Sequence, residues 1–404
     1  MERLIFHVDV NSAFLSWESM RRVQNGESDL REVPAIVGGD PSSRTSVVLA
    51  KSVPAKKYGI LTGEPVSMAV RKCPQLIVVP SDFKLYVKCS HAFKAICRDY
   101  APAVEEYSID ECFLDMTGTS RIYPDPVKTA YEIKDKIKNT LGFTVNVGVG
   151  SNKMLAKMAG DFEKPDKVHT LFQSEIRQKM WPLPVGDLLL CGKSSAQKLN
   201  QSTIRTIGDL AQADLRFIQS LLGMKLGLQL YEYANGIDES PVCPEAEAPK
   251  GYSNETTFET DVISYEQADK ALMFLADRVA ARVRRDGVKG SCISVTIRGN
   301  DMKKHSHQKN LLLATDITNE IYHTAKQLFR ELWDQKTPLR LIGLALTNLD
   351  QGNYTQLSLF MDEKREKEQR ADKAVDQIRM KFGKNMIKRG SMLDSDMEAG
   401  SKEK

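Results

Sequence analysis

The stretch YSIDECFLDMTG, residues 107–118, limits what this chain can fold into more than any other. It sets Asp110 and Glu111 side by side in a run that is otherwise apolar enough to be buried. Ionised acids are rarely buried unless they are paired or hold a metal. The fold must therefore bring this pair either to a solvated turn or to a positive charge. Upstream, RLIFHVDV reads as a buried strand ending at Asp9, and NSAFLSWESM as a helix capped by Asn11 or Ser12. Residues 103–107 and 111–116 read as the strands of a hairpin that turns around Ser108 to Asp110.

A helix over about 82–100 precedes the hairpin, and the helix VKTAYEIKDKIKNTLG and the strand FTVNVGVG follow it. The order strand, helix, hairpin, helix, strand is that of a ferredoxin-like α+β core. In such a sheet the strands carrying Asp9, Asp110 and Glu111 can be neighbours, which would gather three acids at one edge. Clustered carboxylates repel unless cations neutralise them, and Mg²⁺ takes one or two carboxylates plus substrate phosphates. Two such ions about 4 Å apart clamp the attacking and leaving oxygens of a phosphoryl transfer. A plainer alternative makes Asp110 a turn residue, Glu111 a solvated acid and Asp9 a helix cap. The pattern alone leaves both open.

Around this core, residues 20–78 are short and mixed, with Gly and Pro punctuation, as in a small appended subdomain. Residues 170–238 turn helical, DESPVCPEAEAPKG reads as a linker, and a second α+β unit runs from about 251 to 349. The tail holds TQLSLFMD, a charged helix and the end GSMLDSDMEAGSKEK, the last two expected to be partly disordered. At 404 residues with 41% hydrophobic, the chain has material for several buried cores. No run approaches eighteen apolar residues, and the first apolar segment is interrupted by His7 and Asp9, so neither secretion nor a membrane span is expected. Seven cysteines, an odd number without a close CxxC pair, suit reduced thiols in a cytoplasm rather than disulfides or zinc. The net charge of +4 permits a polyanionic partner without requiring one.

The segments HVDVNSAFLSWE, AKSVPAKKYGI, YSIDECFLDMTG, GVGSNKMLAKMAGDFEKPDKVHTL and RTIGDLA, in this order, resemble the Y-family translesion DNA polymerases, in their DinB branch. The resemblance covers essentially the whole chain. It implies a right-hand α+β polymerase with a ferredoxin-like palm at 1–19 and 79–168, fingers at 20–78 and a helical thumb with helix-hairpin-helix elements at 169–238. It further implies a linker at 239–250, an α+β little finger at 251–349 and a tail from 350 to 404. The implied activity is template-directed addition of dNTPs to a primer end with low fidelity and low processivity, using two Mg²⁺ ions.

The resemblance also implies roles for particular residues. Asp9, Asp110 and Glu111 match the family's metal-binding carboxylates, and the Val10 carbonyl a further metal contact. Phe14 falls at the aromatic that lies under the deoxyribose and clashes with a ribose 2′-OH; without the resemblance it would be a core aromatic of an amphipathic helix. Lys164 matches a lysine on the incoming triphosphate. The fingers depart from the pattern in a UmuC-like direction, with Val53 and Lys56 where relatives carry Tyr and Arg; Lys56 offers phosphate a point charge without the fork of Arg. Leu190 stands where the first thumb hairpin would have its first Gly, while the second, LLGMKLG, keeps Gly223 and Gly227.

In the little finger, Arg282, Arg284, Arg285, Lys289, Arg298, Lys303, Lys304 and Lys309 would follow the template duplex and neutralise phosphates without reading sequence. Gln356, Leu357, Ser358, Leu359 and Phe360 are similar to the pentapeptide with which bacterial polymerases dock on a sliding clamp, Leu and Phe serving as anchors. The expected molecule is a cytoplasmic monomer that joins primer-template DNA, dNTPs and the clamp. Two other classes use parts of this pattern: nucleotidyl cyclases share a palm with paired acids, and a non-catalytic DNA scaffold would share the basic surfaces. The thumb-like helices and the tail argue against the first, the intact acids against the second.

Overall fold

The computed structural model describes residues 3–245, 247–350, 363–383, 386–387 and 389–390. The chain divides into two units, residues 1–42 with 46–246 and residues 43–45 with 247–404.

The first unit opens with β1 (Ile5–Val10) and α1 (Ala13–Gln24), then adds β2 (Ala35–Val37), β3 (Ala50–Lys51), α2 (Val53–Lys56), α3 (Val66–Lys72) and β4 (Ile77–Val79). The chain returns through α4 (Phe83–Arg98), β5 (Ala103–Glu106), β6 (Glu111–Asp115), α5 (Pro126–Leu141), β7 (Val145–Gly150), α6 (Lys153–Asp161) and β8 (Val168–Leu171). The central sheet has the order β5-β6-β1-β7-β8. β1 runs antiparallel to both β6 and β7, and every residue of it except Asp9 is buried. A strand covered on both faces reads as a continuous apolar run, which is why its period carries no alternation. The predicted hairpin and flanking helices are present, and β8 carries the sheet past residue 168, where the sequence reading ends its core.

Gly148 in β7 has a specific reason to be glycine. A Cβ there would lie 1.9 Å from the Ala156 carbonyl oxygen of α6, so only a bare backbone lets this helix approach the sheet. That approach aims Lys157 of α6 at Glu111. The smaller sheet, ordered β3-β2-β4, forms the appended subdomain. Its own core includes Ile36, Val48, Ala55, Ile60 and Val66.

The helical part comprises α7 (Ile176–Lys179), α8 (Lys193–Gln201), α9 (Ile207–Gln212), α10 (Leu215–Leu222) and α11 (Met224–Ala234), packed around Met180, Leu199, Leu210, Ile218 and Leu230. The turn before α8 forms although Leu190 occupies the position a glycine would suit, and Leu190 sits at φ +68° with its side chain half exposed. A left-handed residue with a Cβ costs roughly 1–2 kcal/mol, partly offset by the larger unfolded-state entropy of glycine. Leu190→Gly is therefore expected to stabilise the protein by about 0.5–1 kcal/mol. A rise in the urea midpoint at unchanged slope is the expected result; an unchanged or lower midpoint refutes it.

The predicted linker is only partly free. The Asn152 side chain donates to the Gly236 carbonyl (2.8 Å), the Met154 amide to Asp238 (3.0 Å) and the Cys243 amide to Glu105 (2.9 Å). Val242 is buried with Ile5, Phe113 and Ala156. Residues 236–243 thus form a strap fastened to the first unit, Val242 resting on the sheet face that carries Ile5 and Phe113.

The second unit contains β9 (Gly251–Val262), α12 (Tyr265–Arg285), β10 (Lys289–Gly299), β11 (Lys304–Thr315), α13 (Thr318–Leu332), β12 (Leu339–Asp350) and α14 (Glu363–Phe382). Its antiparallel sheet is ordered β11-β10-β12-β9. α12 and α13 cover one face, burying Leu272, Leu275, Val279 and Phe329 against Val295, Ile297 and Leu344. β11 is an edge strand exposed along most of its length. α14, expected to be loose, is fastened to this unit by charge. Arg284 of α12 meets Asp372 (3.1 Å) and Asp376 (2.6 Å), Arg379 meets Asp277 (2.8 Å), and Arg389 meets Asp372 (2.5 Å).

Candidate active site

Register puts the acids where the sequence reading expects them. Asp9 pairs with Glu111 on one side and with Asn146 on the other, and the Val10 amide donates to the Asp110 carbonyl at 3.0 Å. The turn into β6 is fixed by Ser108, whose hydroxyl donates to the Asp110 carboxylate (2.6 Å) and accepts from the Glu111 amide (3.1 Å). Lys94, a buried lysine, caps the same turn through the Ser108 carbonyl (2.6 Å) and Glu106 (3.1 Å). After β1, Ser12 takes a left-handed conformation with φ +48°, which turns the chain into α1. Asn11 ties this corner to Asn146 (3.0 Å) and to the Asp166 amide (2.9 Å).

An open cleft of about 290 Å³ lies at these strand ends, with Asp9, Val10, Phe14, Lys51, Thr62 and Asp110 among its walls. Phe14 is a wall of the cleft and is also packed, partly buried, against the core. Lys56 is exposed on α2 and is not a wall of the cleft; Lys51 takes that position, with its ammonium donating to the Ile60 carbonyl at 2.7 Å. Desolvation, then the nearby charge of Lys56, holds the Lys51 pKa below its ordinary value. The cleft thus has two carboxylates, Asp9 and Asp110, and one ammonium, Lys51, among its walls.

Burial raises the Asp9 pKa, although Lys164 contacts its carboxylate and works in the opposite direction. Lys164 itself is shifted up: desolvation lowers it, but Asp9 and Asp161 together outweigh that. The partly exposed Lys164 ammonium thus stays charged without offsetting the desolvation of Asp9. Glu111 differs. Burial pushes it up, yet hydrogen bonds from His7 (2.7 Å) and from Lys157 hold it at about 2.

A divalent cation fits this donor set. Asp9 and Asp110 both wall one cleft and offer carboxylate oxygens, the hard donors such an ion takes. Glu111 lies opposite Asp9 in register, but its carboxylate is turned to His7 and Lys157. Among the described residues no three acid, imidazole or thiol groups surround one point. His7, Lys51 and Lys157 were missed in the sequence; the cluster Lys51, Lys56 and Lys57 was its only visible signal.

The basic residues of the second unit separate. Arg298 alternates with the buried Val295 and Ile297 and so belongs to the sheet face opposite the helices. Lys303 and Lys304 are exposed beside it, Lys304 paired with Arg298 in register. Arg282 is exposed and lies over the Tyr252 ring (5.3 Å), and Arg285 pairs with Asp286 (2.8 Å). Arg284 is a correction: its side chain is 5% exposed, held by Asp372 and Asp376, and has no reach to a DNA phosphate. The pentapeptide Gln356 to Phe360 lies outside the described residues.

Residues 8–161 match the impB/mucB/samB family, 249–359 its C-terminal domain, and 189–238 the thumb domain of DNA polymerase-iota. A solved Y-family DNA polymerase chimera superposes with a TM-score of 0.75 at 24% identity, covering 85% of this chain and 98% of that one. Fold and site together define a polymerase of the Y-family type. DNA polymerase IV of Clostridium acetobutylicum is 44% identical over 98% of this chain and 100% of its own length. DNA polymerase IV 1 of Bacillus subtilis is 34% identical over 98% and 94%. The chain belongs to the DNA polymerase IV family, and it is a DNA-directed DNA polymerase whose substrates are primer-template DNA and dNTPs. Full-length likeness to polymerases leaves no support for the cyclase or scaffold alternatives.

Proposed function

We propose that this enzyme performs magnesium-dependent translesion synthesis, with low fidelity and low processivity, as a cytoplasmic monomer tethered to a sliding clamp. One observation carries the reading: Asp9 and Asp110 meet at neighbouring strand ends in a cleft that Phe14 and Lys51 also line. The central sheet is then the palm, residues 20–78 the fingers, 169–238 the thumb and 251–349 the little finger. Asp9, Asp110, the Val10 carbonyl and, once turned from His7 and Lys157, Glu111 would hold two Mg²⁺ ions. When bound, such ions lower the pKa of the primer hydroxyl and neutralise the charge on the phosphoryl group.

The remaining work belongs to the chain's own residues. Lys51 and Lys164 supply fixed positive charge to the triphosphate, with Lys56 adding a longer-range field from the rim. Phe14 supports the sugar. Arg282, Arg285, Arg298, Lys303 and Lys304 remain candidates for the DNA backbone, where contacts bring affinity without sequence preference. Among the described residues no helix is long and apolar enough to cross a membrane.

The test is primer extension across an abasic template with Mg²⁺, with and without sliding clamp. Extension past the lesion is expected with Mg²⁺ and not with EDTA, and stimulation by clamp is expected to vanish in Leu359→Ala/Phe360→Ala while extension of short primers without clamp persists. Stimulation that survives in this variant refutes the clamp reading, and arrest one nucleotide before every lesion refutes the translesion reading.

A further inference from the structure

The ring of Phe14 rests on a buried polar anchor. It lies nearly parallel to the ring of Tyr86, with centroids 4.6 Å apart and planes 15° apart, while Trp17 and Phe83 close the sides at 5.8 and 5.9 Å. Tyr86 is fully buried, and its hydroxyl donates to Glu18 at 2.9 Å. Glu18 is 1% exposed, an unusual setting for an acid. Its other oxygen accepts from Arg21 (2.5 Å), and Arg21 reaches on to Asp82 (3.1 Å), the residue that caps α4, the helix carrying Tyr86. Glu18 and Phe14 are both on α1. The chain of contacts therefore closes on itself: α1 presents Phe14 to the cleft, and the same helix holds the ring behind Phe14 through Glu18.

Apolar stacking alone would not need this arrangement. A phenylalanine at position 86 would fill the same space, and a buried carboxylate costs stability unless it is hydrogen-bonded on every side. What the hydroxyl and carboxylate add is direction: a hydrogen bond fixes distance and angle, whereas stacked rings slide at little cost. Steric exclusion needs such a stop, because a wall that yields admits the added group it should reject.

We propose that Glu18 is a positioning residue for sugar selection, acting through the Tyr86 hydroxyl to keep the Phe14 ring from retreating before a ribose 2′-OH. The inference rests on the reading of Phe14 as the support of the sugar. Neither Glu18 nor Tyr86 is a wall of the cleft, whereas Phe14, on which Tyr86 stacks, is.

The experiment measures kcat/KM for dCTP and rCTP opposite template dG in wild type, Phe14→Leu, Tyr86→Phe, Glu18→Ala, Glu18→Gln and the Glu18→Ala/Tyr86→Phe pair. Tyr86→Phe and Glu18→Ala are each expected to lower the dCTP-to-rCTP ratio by about threefold to tenfold, the size of one net hydrogen bond, through a gain with rCTP. Glu18→Gln retains an acceptor for the hydroxyl and is expected to restore the ratio. The double variant is expected to match either single one, since both cut the same link. Should Phe14→Leu leave the ratio unchanged, the reading of Phe14 itself fails. Should Phe14→Leu lower it while Tyr86→Phe and Glu18→Ala do not, only the role of Glu18 fails. A parallel fall in both substrates, or no rescue by Gln, also overturns the proposal, because a merely structural role would give that result.

Discussion

Asp110→Asn is expected to lower nucleotide incorporation by about a thousandfold or more, a loss of about 4 kcal/mol of transition-state stabilisation, while primer-template affinity stays within a few-fold. The substitution is nearly isosteric, and its amide oxygen can still accept from the Ser108 hydroxyl that holds Asp110 at 2.6 Å, so the turn should persist. What disappears is the negative charge at the cleft, where Asp110 stands with Asp9. Single-turnover extension and a binding titration on the same DNA separate the two quantities. Retention of more than about a tenth of the wild-type rate contradicts the assignment, on the scale where tenfold is about 1.4 kcal/mol.

Phe14→Leu is expected to lower discrimination between dCTP and rCTP by about tenfold or more, equivalent to roughly 1.4 kcal/mol. The ring stands over Tyr86 at the wall of the cleft five residues after Asp9, and under the proposed function a nucleotide held at Asp9 would place its sugar above Phe14. Leucine leaves a gap where the ring edge stood, and a hydroxyl can occupy it. The measured quantity is the ratio of kcat/KM values opposite template dG. A ratio that stays constant in a folded variant makes Phe14 a core aromatic and nothing more.

The acids were legible because they violate local expectation: Asp110 and Glu111 sit in a run that otherwise has to be buried, and β1 reaches Asp9 after four buried residues. The hairpin and its helices followed from short-range pattern. Partners of the acids did not. His7 and Lys157 reach Glu111 from 104 and 46 residues away, and neither looks unusual in its own segment. Lys51 ends β3 and Lys56 ends the short α2 that follows, yet only the pairing of β3 with β2 decides which lysine faces the cleft. Arg284 shows the converse. In a row of arginines at the end of a helix, sequence cannot tell an exposed guanidinium from one enclosed by two aspartates that lie about ninety residues on. Such choices are settled by tertiary contacts, to which local periodicity is blind.

The ionic fastening of α14 bears on how the tail can be studied. Cutting the chain after β12 is the obvious way to remove the peptide proposed to dock on a clamp, but it would also strip Arg284 of both aspartates and Asp277 of Arg379 and Arg389. Arg284 is 5% exposed and Asp277 8%, and breaking a buried pair from one side costs about 3–5 kcal/mol. A shortened enzyme that binds DNA poorly would then report a loosened α12 as much as a lost tether. Point substitutions at Leu359 and Phe360 keep the two effects apart, and deletion phenotypes in this enzyme are best interpreted beside them.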